Sequence, residues 1–280
     1  MNKAMRKFPR LSPGISLIDS HCHLDMDAFT PDFSEVLTRA KEHGVHRIIT
    51  IGIDLESSQR AIELSRRHDC LSATVGVHPH DVEQMTDDTY TALARLIADN
   101  RDLVVGYGEI GLDYVKQYSS AESQRRHFVN QLNLAHELAL PIIIHDRQAH
   151  DDALRLIRQS GGAPDGGVMH CFSGNIDFAR QVIDLGLLVS FPGVVTYRNA
   201  REIQDAAAAI PLESMLVETD GPFLAPHPVR GKRNEPVNVL FTTAYIAELR
   251  GISLDELARQ TTDNACRLFG IDSGITIMNQ

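Results

Sequence analysis

Residues 15–27 read ISLIDSHCHLDMD. The run 15–19 is short, apolar and β-branched, the pattern of a buried strand. The turn after it carries two histidines and no glycine. A strand that opens into a helix over a dinucleotide needs a glycine-rich turn, so this stretch argues against an open, doubly wound nucleotide-binding sheet. Outward from it the same unit recurs. Strands are expected at 47–53, 72–77, 103–110, 141–145, 167–171, 187–191 and 215–219. Helical periodicity fills the gaps at 32–43, 57–68, 86–100, 121–138, 150–160, 176–185 and 200–208. Two more helices, 239–249 and 253–269, follow a Pro- and Gly-rich loop at 221–236, the last with Ser253 as N-cap and Glu256 in the capping-box position. Eight units in 280 residues give about 35 residues each, the size of a strand, a helix and two short loops. The expected fold is α/β, a closed (β/α)8 TIM barrel over residues 15–272, with an N-terminal extension at 1–14 and a C-terminal tail at 273–280.

Composition narrows the function classes. Hydrophobic residues make up 43% and charged residues 23%, ordinary for a globular chain and unlike a disordered or fibrous one. The apolar runs are too short for a membrane span. The net charge of −10 argues against broad electrostatic capture of nucleic acid or an anionic membrane, while leaving room for a small cationic site. Cys22, Cys70, Cys171 and Cys266 are scattered and form no CxxC pair, so neither a disulfide framework nor a zinc finger is expected. A cytoplasmic protein with reduced thiols is the plain reading, and the basic start MNKAMRKFPRLSPG lacks the apolar stretch of a secretory signal. A monomer is the default expectation.

In a (β/α)8 barrel the active site lies at the carboxyl ends of the strands. Six of the eight expected strands deliver histidine or carboxylate there: His21 and His23, His78 and His80, Glu109 and Asp113, His145 and Asp146, His170, and Glu218 and Asp220. Residues i and i+2 of a strand face the same way, so His21 and His23 can approach one cation. Alone, the pair reads equally as two loop histidines; with His145, His170 and Asp220 on the same rim, a metal centre is the stronger reading. Imidazole with carboxylate suits transition metals. Glu109, flanked by Gly108 and Gly111, could bridge two ions through its two oxygens or pair with an arginine. His78 and His80 share a face, although Pro79 between them also fits an ordinary turn. Arg147 could bind an anion or cap a helix. The cluster Arg230-Gly231-Lys232-Arg233 is either a solvated charge run or, by its position after Asp220, a phosphate-facing loop. Cys22 and Cys171 alternate with the ligands and are read as packing residues.

These residues resemble the TatD family of metal-dependent deoxyribonucleases, within the amidohydrolase superfamily. The matching stretches are DSHCHLD (19–25), GVHPH (76–80), GEIGLDY (108–114), PIIIHDR (141–147), HCFSG (170–174), SFPG (190–193), ETDGPFLAP (218–226) and RGKRNEP (230–236), in order along nearly the whole chain. The resemblance implies two divalent ions (Mg2+, Mn2+ or Zn2+), with His21, His23, Glu109 and Asp220 holding one. Glu109, His145 and His170 would hold the other. His78, His80, Arg147 and Arg233 would contact substrate or phosphate. Val115 stands where the family often has a second tyrosine, and Gly221 where a small residue such as alanine is common.

The implied reaction is hydrolysis of phosphodiester bonds in DNA by a metal-activated water, with Asp220 as general base beside Glu109. Glu218 is expected to brace a ligating histidine. A compact site built from strand-end loops suits single-stranded or 3′ ends, hence exonucleolytic 3′-end processing. Two rivals stand beside this. One is an amidohydrolase cleaving an amide, ester or lactone, many of which bridge their metals with a modified lysine on strand 4, where this chain has Glu109. The other is a non-catalytic metal-binding protein.

Overall fold

The computed structural model of the chain describes residues 7–274. Eight parallel strands lie side by side in chain order: β1 (Leu17–Cys22), β2 (Val45–Ile51), β3 (Leu71–Val75), β4 (Val104–Asp113), β5 (Ile142–Arg147), β6 (Gly167–Met169), β7 (Leu188–Phe191) and β8 (Met215–Val217). The segment after β8 returns to β1. The Asp220 N–H donates to the His21 carbonyl at 2.9 Å and the His23 N–H to the Gly221 carbonyl at 2.8 Å, and Cys22 and Gly221 form a parallel bridge. The sheet thus closes at its carboxyl end, and the fold is the expected (β/α)8 barrel.

Helices α1 (Phe33–Glu42), α2 (Leu55–Arg67), α3 (Asp87–Ala98), α4 (Ala121–Glu137), α5 (His150–Gln159), α6 (Ile176–Asp184) and α7 (Arg201–Ala209) follow the first seven strands, and α8 (Val239–Arg250) and α9 (Leu254–Phe269) end the barrel. Their starts are written in polar side chains. Asp54 accepts from the Ser57 N–H at 2.6 Å to cap α2, and Ser253 accepts from the Glu256 N–H at 3.1 Å to cap α9. Apolar side chains of strands and helices pack between the two rings. A second, smaller cluster joins Ile18, Ile49, Ile51, Ile143, Val168 and Leu216, from five of the strands and a second position on β2, to Ala265 and Phe269 of α9. Phe269 lines the same cavity as Leu71, Leu103 and Pro141, where β3, β4 and β5 begin, so this cluster runs from the amino end of the barrel inward to Ile51, the last residue of β2.

Strand boundaries depart from expectation in two directions. Strands β1, β4 and β5 run on through Cys22, Asp113 and Arg147, past the points where polar residues or glycine suggested an end. Strands β6 and β8 stop early, before His170 and Glu218. Glycine lengthens β4. Gly111 (φ 143°) faces His145 across the ladder, and a Cβ there would run into the His145 carbonyl oxygen. A Cβ on Gly108 (φ 151°) would sit 2.6 Å from the Ile143 carbonyl oxygen. Glycine at both positions lets β4 press against β5 and carry Glu109 deep into the mouth.

The described residues before the barrel, 7–14, pack on it. The Phe8 ring lies 4.7 Å from the His43 ring and 5.3 Å from the Phe241 ring. Residues 1–6 of the extension and 275–280 of the expected tail lie outside the described residues. Among the described residues, no helix is long and apolar enough to cross a membrane.

Candidate metal centre

The mouth of the barrel gathers five imidazoles around one carboxylate. Glu109 is 2% exposed, and its two oxygens look in different directions. Oε2 lies 3.4 Å from His21 Nε2 and 3.7 Å from His23 Nε2. Asp220 Oδ1 completes that group, 3.8 Å from His21 Nε2 and 3.4 Å from His23 Nε2. Oε1 lies 2.8 Å from both His145 Nδ1 and His170 Nε2, nitrogens themselves 3.4 Å apart. His78 Nε2 is 3.4 Å from the same oxygen.

Atoms that share one ion at about 2.0–2.2 Å lie about 3–3.6 Å from one another. The first group spans 3.3–3.8 Å and the second 2.8–3.4 Å, each within a few tenths of an ångström of that spacing. The chemistry of the donors fits too: His21 Nε2 and His23 Nε2 face each other at 3.3 Å, close enough to share one proton or, with both nitrogens unprotonated, one cation. The far nitrogens His21 Nδ1, His23 Nδ1 and His170 Nδ1 are buried without a hydrogen-bond partner, so the near nitrogens carry the contacts to the centre. His21, His23 and Asp220 form one set able to hold an ion, and His78, Glu109 and His145 another.

The electrostatics pull the same way. Burial alone would raise the Glu109 carboxyl, but His170, His78 and His145 outweigh it and hold it well below the usual carboxylate range. Asp220 is likewise lowered, burial losing to His23 and His21. Burial and the neighbouring His170 keep His21 below its ordinary value, and burial brings His78 down to about 4. Both are therefore neutral imidazoles near pH 7, the form that binds metals. His170 goes the other way: burial is overcome by Glu109 and Glu218, and its pKa lies well above the ordinary value. His23 and His145 rise as well, burial being overcome by Asp220 and Glu109 in the one and by Asp113 and Glu109 in the other, so the anionic carboxylates draw positive charge onto these imidazoles, charge that a bound cation would supply instead.

Each ligand position has a local cause. His21 lies within β1 and His23 just after it, anchored by the seam to residues 220 and 221. Asp220 has φ 55° and Cys171 φ 46°; the chain leaves β8 and β6 abruptly there, and Asp tolerates that region better than most residues. Glu218 braces the turn after β6: its Oε1 accepts the Cys171 N–H at 2.6 Å and sits 3.5 Å from His170 Nδ1. Asp19, buried under His21, accepts from the Thr219 N–H at 2.8 Å and the Thr219 hydroxyl at 2.5 Å. Burial pushes its carboxyl up to about 8 against those bonds.

Asp113 has a larger role than its place at the end of a strand suggested. Its Oδ1 accepts the Val115 and Lys116 N–H groups at 2.8 and 2.7 Å. Its Oδ2 lies 2.8 Å from His80 Nε2, 3.5 Å from His145 Nε2 and 3.9 Å from Arg147 Nη1. One fully buried carboxylate thus orients three of the expected site residues. The signal for it was its parity with Gly111 and Glu109 on β4.

The structure does not bring Arg233 to this cluster. Its guanidinium pairs with Asp32 at 2.5 and 2.8 Å, with Glu235 at 3.3 Å and with the Ala28 carbonyl at 2.8 Å. What the RGKRNEP stretch contributes to the mouth is Asn234. Its buried amide donates to the Thr219 carbonyl at 2.8 Å and the Phe223 carbonyl at 2.7 Å, fixing the turn that carries Asp220. Arg147 is half-exposed at the rim.

A (β/α)8 barrel with such a cluster at the carboxyl ends of its strands is built to hold metal there, and its relatives are named metal-dependent hydrolases. The family model described as TatD related DNase matches residues 18–270. The chain is 41% identical to YabD of Bacillus subtilis, named an uncharacterized metal-dependent hydrolase, over 91% of this chain and 100% of the relative. It is 35% identical to a Klebsiella pneumoniae protein named 3′-5′ ssDNA/RNA exonuclease TatD, over 91% of this chain and 98% of the relative. The crystal structure of the Escherichia coli TatD homologue YJJV superposes with a TM-score of 0.87 at 33% identity, covering 91% of this chain and 98% of that one. The chain belongs to the TatD family.

Proposed function

We propose that the protein is a metal-dependent exonuclease that trims the 3′ ends of single-stranded DNA, with RNA as a second polynucleotide substrate. The carrying observation is that the two oxygens of Glu109 address two separate donor groups, 3.4 Å from His21 on one side and 2.8 Å from His145 and His170 on the other. Such an arrangement suits a pair of divalent ions, with His21, His23, Glu109 and Asp220 holding one and Glu109, His145 and His170 the other. When bound, such ions would lower the pKa of a coordinated water and draw charge from a phosphate. The residue types fit Zn2+, Mn2+ or Mg2+. The Klebsiella relative's name supports the polynucleotide substrate.

The chain's own groups divide the work. Asp220, kept anionic by its histidine neighbours, accepts a proton from the attacking water as general base. Glu109 positions both halves of the centre. His78 beside Glu109 Oε1, and His80 and Arg147 beside Asp113, present donors along one rim to a bound phosphate. Arg233 reaches the substrate only by giving up Asp32 and Glu235. The four free cysteines suit the reducing cytoplasm.

The test is degradation of 5′-labelled single-stranded oligonucleotides with Mg2+, Mn2+ or Zn2+, and with EDTA. The expected result is a ladder shortening from the 3′ end, abolished by EDTA and reduced at least about a thousandfold in Glu109→Gln. Turnover of amides, esters or lactones with intact oligonucleotides would overturn the reading.

A further inference from the structure

Two aromatic rings stand exposed at the mouth of the barrel, and no step above uses them. Phe223 is 49% exposed and Tyr118 69%. They are the only aromatic residues among the exposed large hydrophobic side chains of the described residues. The Phe223 ring lies 6.1 Å from the His23 ring, edge to face. The Tyr118 ring lies 4.9 Å from the His80 ring, nearly perpendicular. His23 belongs to the β1–β8 seam, whereas His80 follows β3 and is tied to Asp113 at the end of β4. Around an eight-stranded ring those positions are three strand intervals apart, about 135°, so the two rings stand on different sides of the centre.

Both rings are held on braced backbone. The Phe223 N–H donates to the Asp220 carbonyl at 2.9 Å, and its carbonyl accepts from Asn234 at 2.7 Å. Next to Tyr118, the buried Ser119 hydroxyl donates to the His80 carbonyl at 2.8 Å and accepts from the Glu83 N–H at 3.1 Å. The Lys116 ammonium lies 5.9 Å from the Tyr118 ring centre, adding positive charge on that side. A large apolar ring fixed in water has a cost that a bound planar partner removes.

We propose that Phe223 and Tyr118 are stacking platforms for the two nucleobases that flank the phosphodiester at the metal centre. The inference rests on the nuclease reading and deepens it. Ring faces accept every base, so this site selects for unpaired bases and not for sequence. A duplex end, with its bases paired and stacked on one another, cannot offer both bases to rings on different sides of the phosphate without fraying.

The experiment compares a single-stranded oligonucleotide with one that has abasic sugars at its last two 3′ positions, using wild type, Phe223→Leu, Tyr118→Leu and Phe223→Tyr, with metal content and thermal melting measured for each. The inference expects the wild-type kcat/KM to fall about tenfold to a hundredfold when the bases are removed. Each leucine variant is expected to lose a similar factor on the normal strand and far less on the abasic one, while Phe223→Tyr keeps the wild-type pattern. Equal losses on both substrates, or a wild type indifferent to the missing bases, would overturn stacking while leaving the nuclease standing. A wild type that cleaves no oligonucleotide would overturn both.

Discussion

The two ends of the barrel are made by the same eight strands and use their buried volume in opposite ways. From the amino end inward, Ile18, Ile49, Ile51, Ile143, Val168 and Leu216 pack with Phe269 of α9, and burial there is a direct gain in stability. At the carboxyl end, His21, His23, Glu109, His145, His170 and Asp220 are packed together. Burial there costs desolvation, offset by charge pairing and, in our reading, by bound cations. The amino end keeps the ring closed so that the carboxyl end can hold an arrangement of side chains that would not gather by itself.

That contrast makes the largest stability effect fall outside the ligand set. Ile143 on β5 lies opposite Gly106 and Gly108 of β4, so removing its side chain leaves a void that neither glycine can fill. Ile143→Ala is expected to lower unfolding stability by about 2–5 kcal/mol, measured by denaturant titration, with metal content per folded molecule unchanged. Loss of metal in proportion to loss of stability would show that the two ends are one unit. A smaller effect with the opposite signature is expected from Asp113→Asn at the mouth. The change keeps shape and removes the charge that faces His145, His80 and Arg147. Metal affinity should weaken about 10- to 100-fold, with little change in the melting temperature of metal-free protein; a large drop in that temperature would make Asp113 a structural residue only.

How much of this could be read in the sequence follows the same division. The barrel was legible because alternating apolar runs and helical periodicity are local signals, repeated eight times. The gathering of His21, His23, Glu109, His145, His170 and Asp220 on one rim was legible because strand ends carry it, and closure of the ring does the rest. Strand lengths were not: β1 and β4 keep their ladders through His21 and Asp113, where polar side chains resemble a loop but are buried at the mouth. Partners fixed only by three-dimensional packing were not legible either. Arg233 meets Asp32, 201 positions away, so one of the three cations in the run that suggested a phosphate-facing loop is occupied within the protein. Asp113 looked like one more strand-end carboxylate until its contacts with His80, His145 and Arg147 were in view.

The central claim is that Glu109 joins two cation sites. Anomalous scattering from crystals grown with Mn2+ tests it directly. The expected result is two peaks, each in contact with one Glu109 oxygen, one beside His21, His23 and Asp220 and the other beside His145 and His170. A single peak, or two peaks that leave Glu109 untouched, would contradict it.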